Sequence, residues 1–414
     1  MFKSIKAWVL KTYQTMMDNH LQPQMMRYFD WPLFLIVLAL CSVGLVAIFA
    51  ATAQPITEMP ANLMEMLTTQ PLTYPLLQLR WIAVGLVVMF IVMFFSYRAY
   101  GSYTTFIYVA NLLVLLTVLG MEAGRGGMSA FFRWGSSGDR TVQPSEFGKV
   151  AIIICLAKIF ATRSDPISTL GELFPLGVYV GLPLALVVLQ PDFGTALVYV
   201  VIFAIMLFCS KMDWKLIVTI IVSLVLLMIP IWYFLTLSSD NFRLTRILMW
   251  LNPEAYPDEA RQIINAQIAI GSGGWFGKGV ISVGSLASLG YISDDHTDMI
   301  FSIICEAFGY VGGIVVISLF LLLILRLFQL SNKVKDPFGS YIILGVAAMF
   351  LFHVMENIGM VIGLLPCTGI PLPFISYGGS HMLSVMMAIG LVMNVVIRDR
   401  QRARQPLVRR VKRL

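Results

Sequence analysis

The side chains best able to do chemistry collect in one polar stretch, Ser238 to Asp298, of a chain that is otherwise almost wholly apolar. This stretch carries Arg243, Arg246, Arg261 and Lys278, and it closes on Asp294-Asp295-His296-Thr297-Asp298 just before another apolar run. A connection this long is uncommon unless it is functional or disordered. Asp298 stands where a wet loop meets an apolar span. Partial desolvation there favours proton uptake by a carboxylate, and such a group can serve as a general base. The plainer reading of Asp298 is an N-cap for a helix starting at Met299. Arg243 and Arg246 are three residues apart. On a helix they make a two-arginine face suited to a phosphate or pyrophosphate, or they simply snorkel to the interface. Gly271-Ser272-Gly273-Gly274 and Gly277-Lys278-Gly279 form a glycine-rich turn whose N–H groups could approach a phosphate, although the Walker spacing is absent.

Other polar groups fall between or within the apolar runs. Arg133-Trp134 precedes Gln143-Pro144-Ser145-Glu146, with Lys149 one turn on. Pro144 suits the first turn of a helix, and Glu146 and Lys149 share a helix face. They read either as a capped helix end with a surface ion pair or as members of a polar network. Gln190-Pro191-Asp192-Phe193-Gly194-Thr195 is a tight turn in which Asp192 caps the next helix or turns inward to a cation such as Lys149. Glu306, His353, Glu356 and Asn357 lie inside apolar runs, where ionisable groups line a cavity or pair with one another. His353 and Glu356 share a face. His20, His296, His353 and His381 show no ligand spacing, so the sequence offers no metal site.

These groups need a scaffold, and the composition says which kind. Of 414 residues 58% are hydrophobic and 12% charged, against about 25% charged in soluble domains. Apolar runs fall at about 32–52, 76–96, 103–120, 147–161, 171–189, 193–210, 214–237, 299–326, 338–364 and 374–397, and all but the short runs 147–161 and 193–210 approach the ~20 residues that cross a bilayer. The expected fold is an all-α polytopic membrane protein of about ten transmembrane helices, with a large extracytoplasmic loop at about 238–298 between helices 7 and 8. With an even count, the basic N-terminus, Arg98, Arg163, Lys211, Lys215, Lys333, Lys335 and the C-terminus share one face. The positive-inside rule makes that face cytoplasmic. The chain thus divides into a cytoplasmic N-terminal extension (1–31), the membrane domain (32–397) and a basic cytoplasmic tail (398–414). The tail suits anionic membrane lipid rather than nucleic acid. The five cysteines are odd in number, fall mostly in or near apolar runs and form no CxxC, which argues against a disulfide framework or zinc site.

In combination the motifs resemble the SEDS family of shape, elongation, division and sporulation proteins, to which RodA, FtsW and SpoVE belong. The resemblance runs from about residue 32 to 397. Its marks are Arg133-Trp134 with Gln143-Pro144-Ser145-Glu146, Gln190-Pro191-Asp192-Phe193-Gly194-Thr195, Gln267-Ile268-Ala269-Ile270-Gly271-Ser272-Gly273-Gly274 with Gly277-Lys278-Gly279, and His296-Thr297-Asp298 with Glu306. The last is Gly369-Ile370-Pro371-Leu372-Pro373-Phe374-Ile375-Ser376-Tyr377-Gly378-Gly379-Ser380. The wording of the glycine and proline motifs is closer to the RodA branch, which implies elongation and shape maintenance rather than division. Two positions depart from the pattern: Glu306-Ala307-Phe308-Gly309 lacks a second acid, and His381 stands where a small residue is usual.

The resemblance implies a peptidoglycan glycosyltransferase of the bacterial plasma membrane that polymerises lipid II, with a class B penicillin-binding protein as transpeptidase partner. Asp298 carries over as the catalytic carboxylate. Arg243, Arg246, Lys278 and Arg133 are expected to bind substrate, and Glu146, Lys149, Asp192, Glu306 and His296 to form a supporting polar network. No cofactor is expected with certainty; a divalent cation could assist the arginines. The rival expectations are a flippase of the lipid-linked precursor, with His353, Glu356 and Glu306 along its path, and a scaffold that only positions a transpeptidase.

Overall fold

The computed structural model describes residues 25–54, 70–123, 132–134, 140–163, 165–190, 192–210, 212–213, 215–216, 218–219, 242–282, 284–292 and 296–411. In chain order these form α1 (Met25–Tyr28), α2 (Trp31–Ala51), α3 (Thr73–Phe94), α4 (Tyr97–Ser102), α5 (Thr104–Ala123), β1 (Phe132–Trp134), β2 (Arg140–Val142), α6 (Pro144–Thr162), α7 (Leu170–Leu189) and α8 (Phe193–Phe208). There follow α9 (Phe242–Leu251), a 3-10 turn (Pro253–Ala255), α10 (Pro257–Ser272), α11 (Ile300–Lys333), α12 (Pro337–Val361) and α13 (Gly379–Val411). Nine of the ten apolar runs coincide with helices. The seventh, 214–237, lies almost wholly outside the described residues. Among the described residues six helices are long and apolar enough to cross a membrane: α2, α3, α7, α11, α12 and most of α13.

Burial separates the central helices from the peripheral ones. The apolar windows of α13 and α12 are 83% and 72% buried, while those of α7 and α3 are 22% and 28% buried. An apolar helix left mostly uncovered by protein is covered by lipid, so α3 and α7 are peripheral. α13 lies along α3; α12 packs against α6, α8 and α11; α11 also packs on α2.

The helix starts follow local chemistry. Asp30 accepts from the Leu33 N–H at 3.2 Å and caps α2, with Pro32 in the first turn. Pro144 opens α6 as the sequence suggests. The C-terminal carbonyls of α3 are capped from outside the helix. Asn394 Nδ2 donates to the carbonyl of Val92 at 2.8 Å, and Arg398 Nη2 donates to that of Phe94 at 3.0 Å. Arg398 is therefore part of the packed bundle, and α13 continues unbroken through the start of the basic tail.

α11 holds the fold's main irregularity. The run 299–326 reads as one span, but Gly309 adopts φ 67°, ψ −165° and splits the helix. The break frees backbone groups, and the glycine-rich turn after α10 satisfies them. Lys278 and Gly279 N–H donate to the Glu306 and Ala307 carbonyls at 2.9 and 3.0 Å. Tyr310 and Val311 N–H donate to the Gly274 and Trp275 carbonyls at 2.9 and 3.2 Å. A β-carbon on Gly277 would overlap the Ala307 carbonyl, and one on Gly309 would overlap Trp275, so side chains are excluded at both crossings. The expectation that this turn offers its N–H groups to a phosphate is thus corrected for Lys278 and Gly279: α11 uses them.

The stretch 238–298 is not irregular throughout. α9 and α10 occupy much of it, and Trp250 Nε1 ties α9 to the Gly363 carbonyl beyond α12 at 3.0 Å.

Candidate active site

His296-Thr297-Asp298 forms a turn immediately before α11, whose N-cap is Met299 with no side-chain cap. All three carbonyls of the turn are held by the segment that follows α12 or by α12 itself. Tyr377 N–H donates to the His296 carbonyl at 2.9 Å. Ser376 Oγ donates to the Thr297 carbonyl at 2.7 Å. Asn357 Nδ2 donates to the Asp298 carbonyl at 2.8 Å and to the Ile370 carbonyl at 2.8 Å. Ser376 in turn accepts from Leu372 N–H at 2.8 Å, and Gln78 Nε2 of α3 donates to the Ser376 carbonyl at 3.1 Å. The apolar residues of the same segment, Ile370, Leu372, Phe374 and Ile375, are buried and anchor it in the bundle.

The Asp298 carboxylate faces a surface made by glycine. A β-carbon on Gly369 would stand 3.2 Å from Asp298 Oδ2, and Gly369 has φ 73°. Only glycine takes that conformation without cost, and only glycine leaves the carboxylate that room. Thr368, next in the chain, donates from Oγ1 to Glu356 at 2.7 Å. Glu356 and Asp298 thus border one short segment. Tyr74, His296 and Tyr377 pack their rings together nearby, with centroids 4.6 to 5.6 Å apart.

Asp192 stands on the other side of this segment. A β-carbon on Gly194 would lie 2.7 Å from Ile370 Cγ1 and 3.1 Å from the Thr368 carbonyl oxygen, so the turn abuts residues 368–370. Asp192 caps α8 through Thr195 N–H at 3.2 Å. It also accepts from Gln143 Nε2 at 2.7 Å and Ser145 Oγ at 2.8 Å. It is both cap and inward-facing carboxylate, bonded to Gln143, Ser145 and Thr195.

Glu146 and Lys149 form an ion pair at 2.7 Å, with side chains 3% and 1% exposed. Of the two readings of these residues, the pair is therefore buried rather than on the surface. Burying two charges costs several kcal/mol each unless further hydrogen bonds compensate, and those bonds are present. Lys149 Nζ lies 2.9 Å from His353 Nε2. Glu146 Oε2 accepts from His381 Nδ1 and Ser384 Oγ, both at 2.9 Å. The expected pairing of His353 with Glu356 does not form; each faces a different partner. Sequence spacing missed this grouping because its members come from α6, α12 and α13. A buried carboxylate, two buried histidines and a buried lysine in apolar runs were the available signal.

Lys278 and Glu306 meet in an ion pair at 2.8 Å, and Glu306 also accepts from Leu286 N–H at 2.8 Å. Lys278 thus pins the glycine-rich turn to α11. Arg243 and Arg246 lie three apart on α9, and Arg133 pairs with Thr141 in the β1–β2 ribbon. Their side chains, with Asp294 and Asp295, lie outside the described residues.

Residues 31–401 match the family of cell cycle proteins that comprises FtsW, RodA and SpoVE. The chain is 31% identical to the peptidoglycan glycosyltransferase RodA of Treponema pallidum, with 90% of this chain and 98% of that protein covered. It is 33% identical to the peptidoglycan glycosyltransferase MrdB of Escherichia coli K12, covering 89% and 93%. Among solved structures, it matches a chain from work described as "Structural coordination of polymerization and crosslinking by a peptidoglycan synthase complex" with a TM-score of 0.71 at 27% identity, covering 90% and 98%. The crystal structure of the rod shape determining protein RodA of Thermus thermophilus matches with a TM-score of 0.62 at 26% identity, covering 90% and 97%. With the matched region spanning its whole helical bundle, the chain belongs to the FtsW/RodA/SpoVE family of multi-pass membrane proteins.

Proposed function

We propose that the protein is a peptidoglycan glycosyltransferase that polymerises lipid II into glycan strands at the outer face of the bacterial plasma membrane, in cell elongation and shape maintenance. The names carried by its relatives support the activity. The observation that carries the assignment of chemistry is the fixing of Asp298: three consecutive carbonyls are bonded to Tyr377, Ser376 and Asn357, while the carboxylate looks over Gly369. A base held by its backbone with its side chain over an open glycine is preorganised for a substrate hydroxyl.

In this reading the 4-hydroxyl of the acceptor sugar attacks the anomeric carbon of the donor. Asp298 takes the hydroxyl proton, the new glycosidic bond forms, and the bond to the lipid pyrophosphate breaks with inversion. The leaving pyrophosphate gains negative charge, which Arg243, Arg246 and Arg133 are positioned in sequence to meet. Lys278 contributes less, because Glu306 already holds it. Glu146, Lys149, Asp192 and His296 support the segment beneath. Both termini are cytoplasmic by the distribution of Lys and Arg. The partner is a class B penicillin-binding protein. This fits the peptidoglycan synthase complex named for the structural relative.

A flippase would need mid-membrane polar groups open to a moving headgroup. The intramembrane groups are bonded to one another instead: Lys149 to Glu146 and His353, and Glu356 to Thr368. Incubating purified protein with lipid II, with and without the transpeptidase, tests the proposal. Glycan polymer made by the wild type and lost with Asp298→Ala supports it. Lipid II transfer between leaflets without polymer defeats it.

A further inference from the structure

Trp275 and Phe276 are 70% and 84% exposed, side by side at the tip of the glycine-rich turn. Large apolar side chains this exposed mark a surface that something else covers. The turn beneath them is firmly mounted. Its backbone makes four hydrogen bonds with α11 around the break at Gly309, and Lys278 adds an ion pair to buried Glu306 at 2.8 Å. Gly273 presses on α11 as well, since a β-carbon there would overlap the Cys305 carbonyl. The two aromatic side chains are therefore held outward by a fixed frame.

α11 gives the depth of this tip. Before the break, residues 300–307 are buried by protein. After it, an exposed apolar stripe runs through Tyr310, Ile314, Ile317, Leu321 and Leu325. The stripe reaches Arg326, which pairs with Asp30 at the start of α2. From Tyr310 to Arg326 the helix rises about 24 Å at ~1.5 Å per residue, most of the ~30 Å hydrocarbon core. Arg326 thus marks one membrane interface and Tyr310 the other. Trp275 lies against Tyr310, with ring centroids 6.0 Å apart and edge to face, so the tip sits at the second interface. By the orientation proposed above, this is the outer one. Tryptophan and tyrosine favour that level because each joins an apolar body to a polar tip.

We propose that the glycine-rich turn is an interfacial anchor: Trp275 and Phe276 insert into the headgroup–acyl boundary of the outer leaflet, beside Tyr310. The partner is the lipid surface itself, because the apolar stripe of α11 continues directly into the tip. Pairing Lys278 with Glu306 suits this position, since an unpaired charge is costly at that depth. The anchor ties α10, and through α11 the turn that bears Asp298, to a fixed height at the bilayer.

The test uses full-length protein in phosphatidylcholine vesicles and reads one indole by difference. The fluorescence lost in Trp275→Phe is the contribution of Trp275. Phosphatidylcholine brominated near its headgroup should quench that contribution more strongly than aqueous iodide does. Phe276→Trp, made in the Trp275→Phe background, places a new indole at the neighbouring position, which should respond in the same way. Both results should persist when the transpeptidase is reconstituted in the same vesicles. Stronger quenching by iodide than by lipid would put the tip in water and overturn the proposal. Insensitivity to both quenchers would also overturn it. So would loss of the lipid quenching once the transpeptidase is present, which would assign the tip to a protein partner.

Discussion

Gly369 and Asp298 are in direct opposition: a β-carbon on the first would stand 3.2 Å from a carboxylate oxygen of the second. The glycine also has φ 73°. Gly369→Ala should therefore cost about 1–2 kcal/mol of stability from backbone conformation alone. Polymerisation should fall further than stability, because the methyl crowds the carboxylate. Thermal unfolding and lipid II turnover measured on one preparation separate the two losses. Activity that merely tracks the folded fraction would remove the carboxylate from this account.

Asn357 holds the Asp298 and Ile370 carbonyls together. Asn357→Leu leaves both without that donor, at about 1–3 kcal/mol for each group left unsatisfied. Ser376→Ala releases the Thr297 carbonyl. Because both substitutions loosen the same turn, their effects on turnover should be non-additive. A double-mutant cycle on turnover measures this, and strictly additive losses would mean the turn is held elsewhere.

The broken α11 predicts a folding phenotype. Gly277→Ala meets the Ala307 carbonyl and has φ 80°. It should abolish stable folding or lower the melting temperature sharply. Lys278→Met and Glu306→Gln each remove one side of an ion pair, and the remaining partner is buried on the Glu306 side. Glu306→Gln should cost less than Lys278→Met, which leaves the carboxylate without its cation. Unfolding midpoints of the two variants in detergent decide the order.

Much of this molecule was legible in its residues. Nine apolar runs became helices, and the motif segments converge: Gly194 reaches Ile370, and Ser376 reaches Thr297. The glycine-rich turn was misread because a helix break is invisible to hydropathy. Gly309 sits in an unbroken apolar run, and the groups that fill its gap come from about thirty residues upstream. The pairing of His353 with Lys149 and of His381 with Glu146 was hidden for a related reason. Helix periodicity reports which residues share a face, not which faces of α6, α12 and α13 meet. The arginines of the tail read as contacts for anionic membrane lipid, yet Arg398 and Arg400 bond within the bundle.

Asp30 gives a pH dependence. Burial pushes its carboxyl up, but hydrogen bonds from Arg326 and Arg400 outweigh this and hold it below the usual carboxylate value. A depressed folded-state value means the stabilisation is complete above the unfolded value of about 3.9. It is lost as the pH falls through the lower folded value. Asp30→Asn should cost about 2 kcal/mol at pH 7, and the gap from wild type should narrow only below about pH 4. Unfolding midpoints of both proteins across pH check this. A constant gap down to the acid limit would show that the charge is immaterial.

Lipid II polymerisation by purified Asp298→Asn, compared with wild type in equal folded amount, is the most direct measurement. The amide keeps the shape of the side chain and the backbone contacts to Asn357 while removing the base. A loss of about 100-fold or more is predicted, the scale of general-base catalysis. Polymer made at the parental rate would contradict the assignment of Asp298 as the proton acceptor.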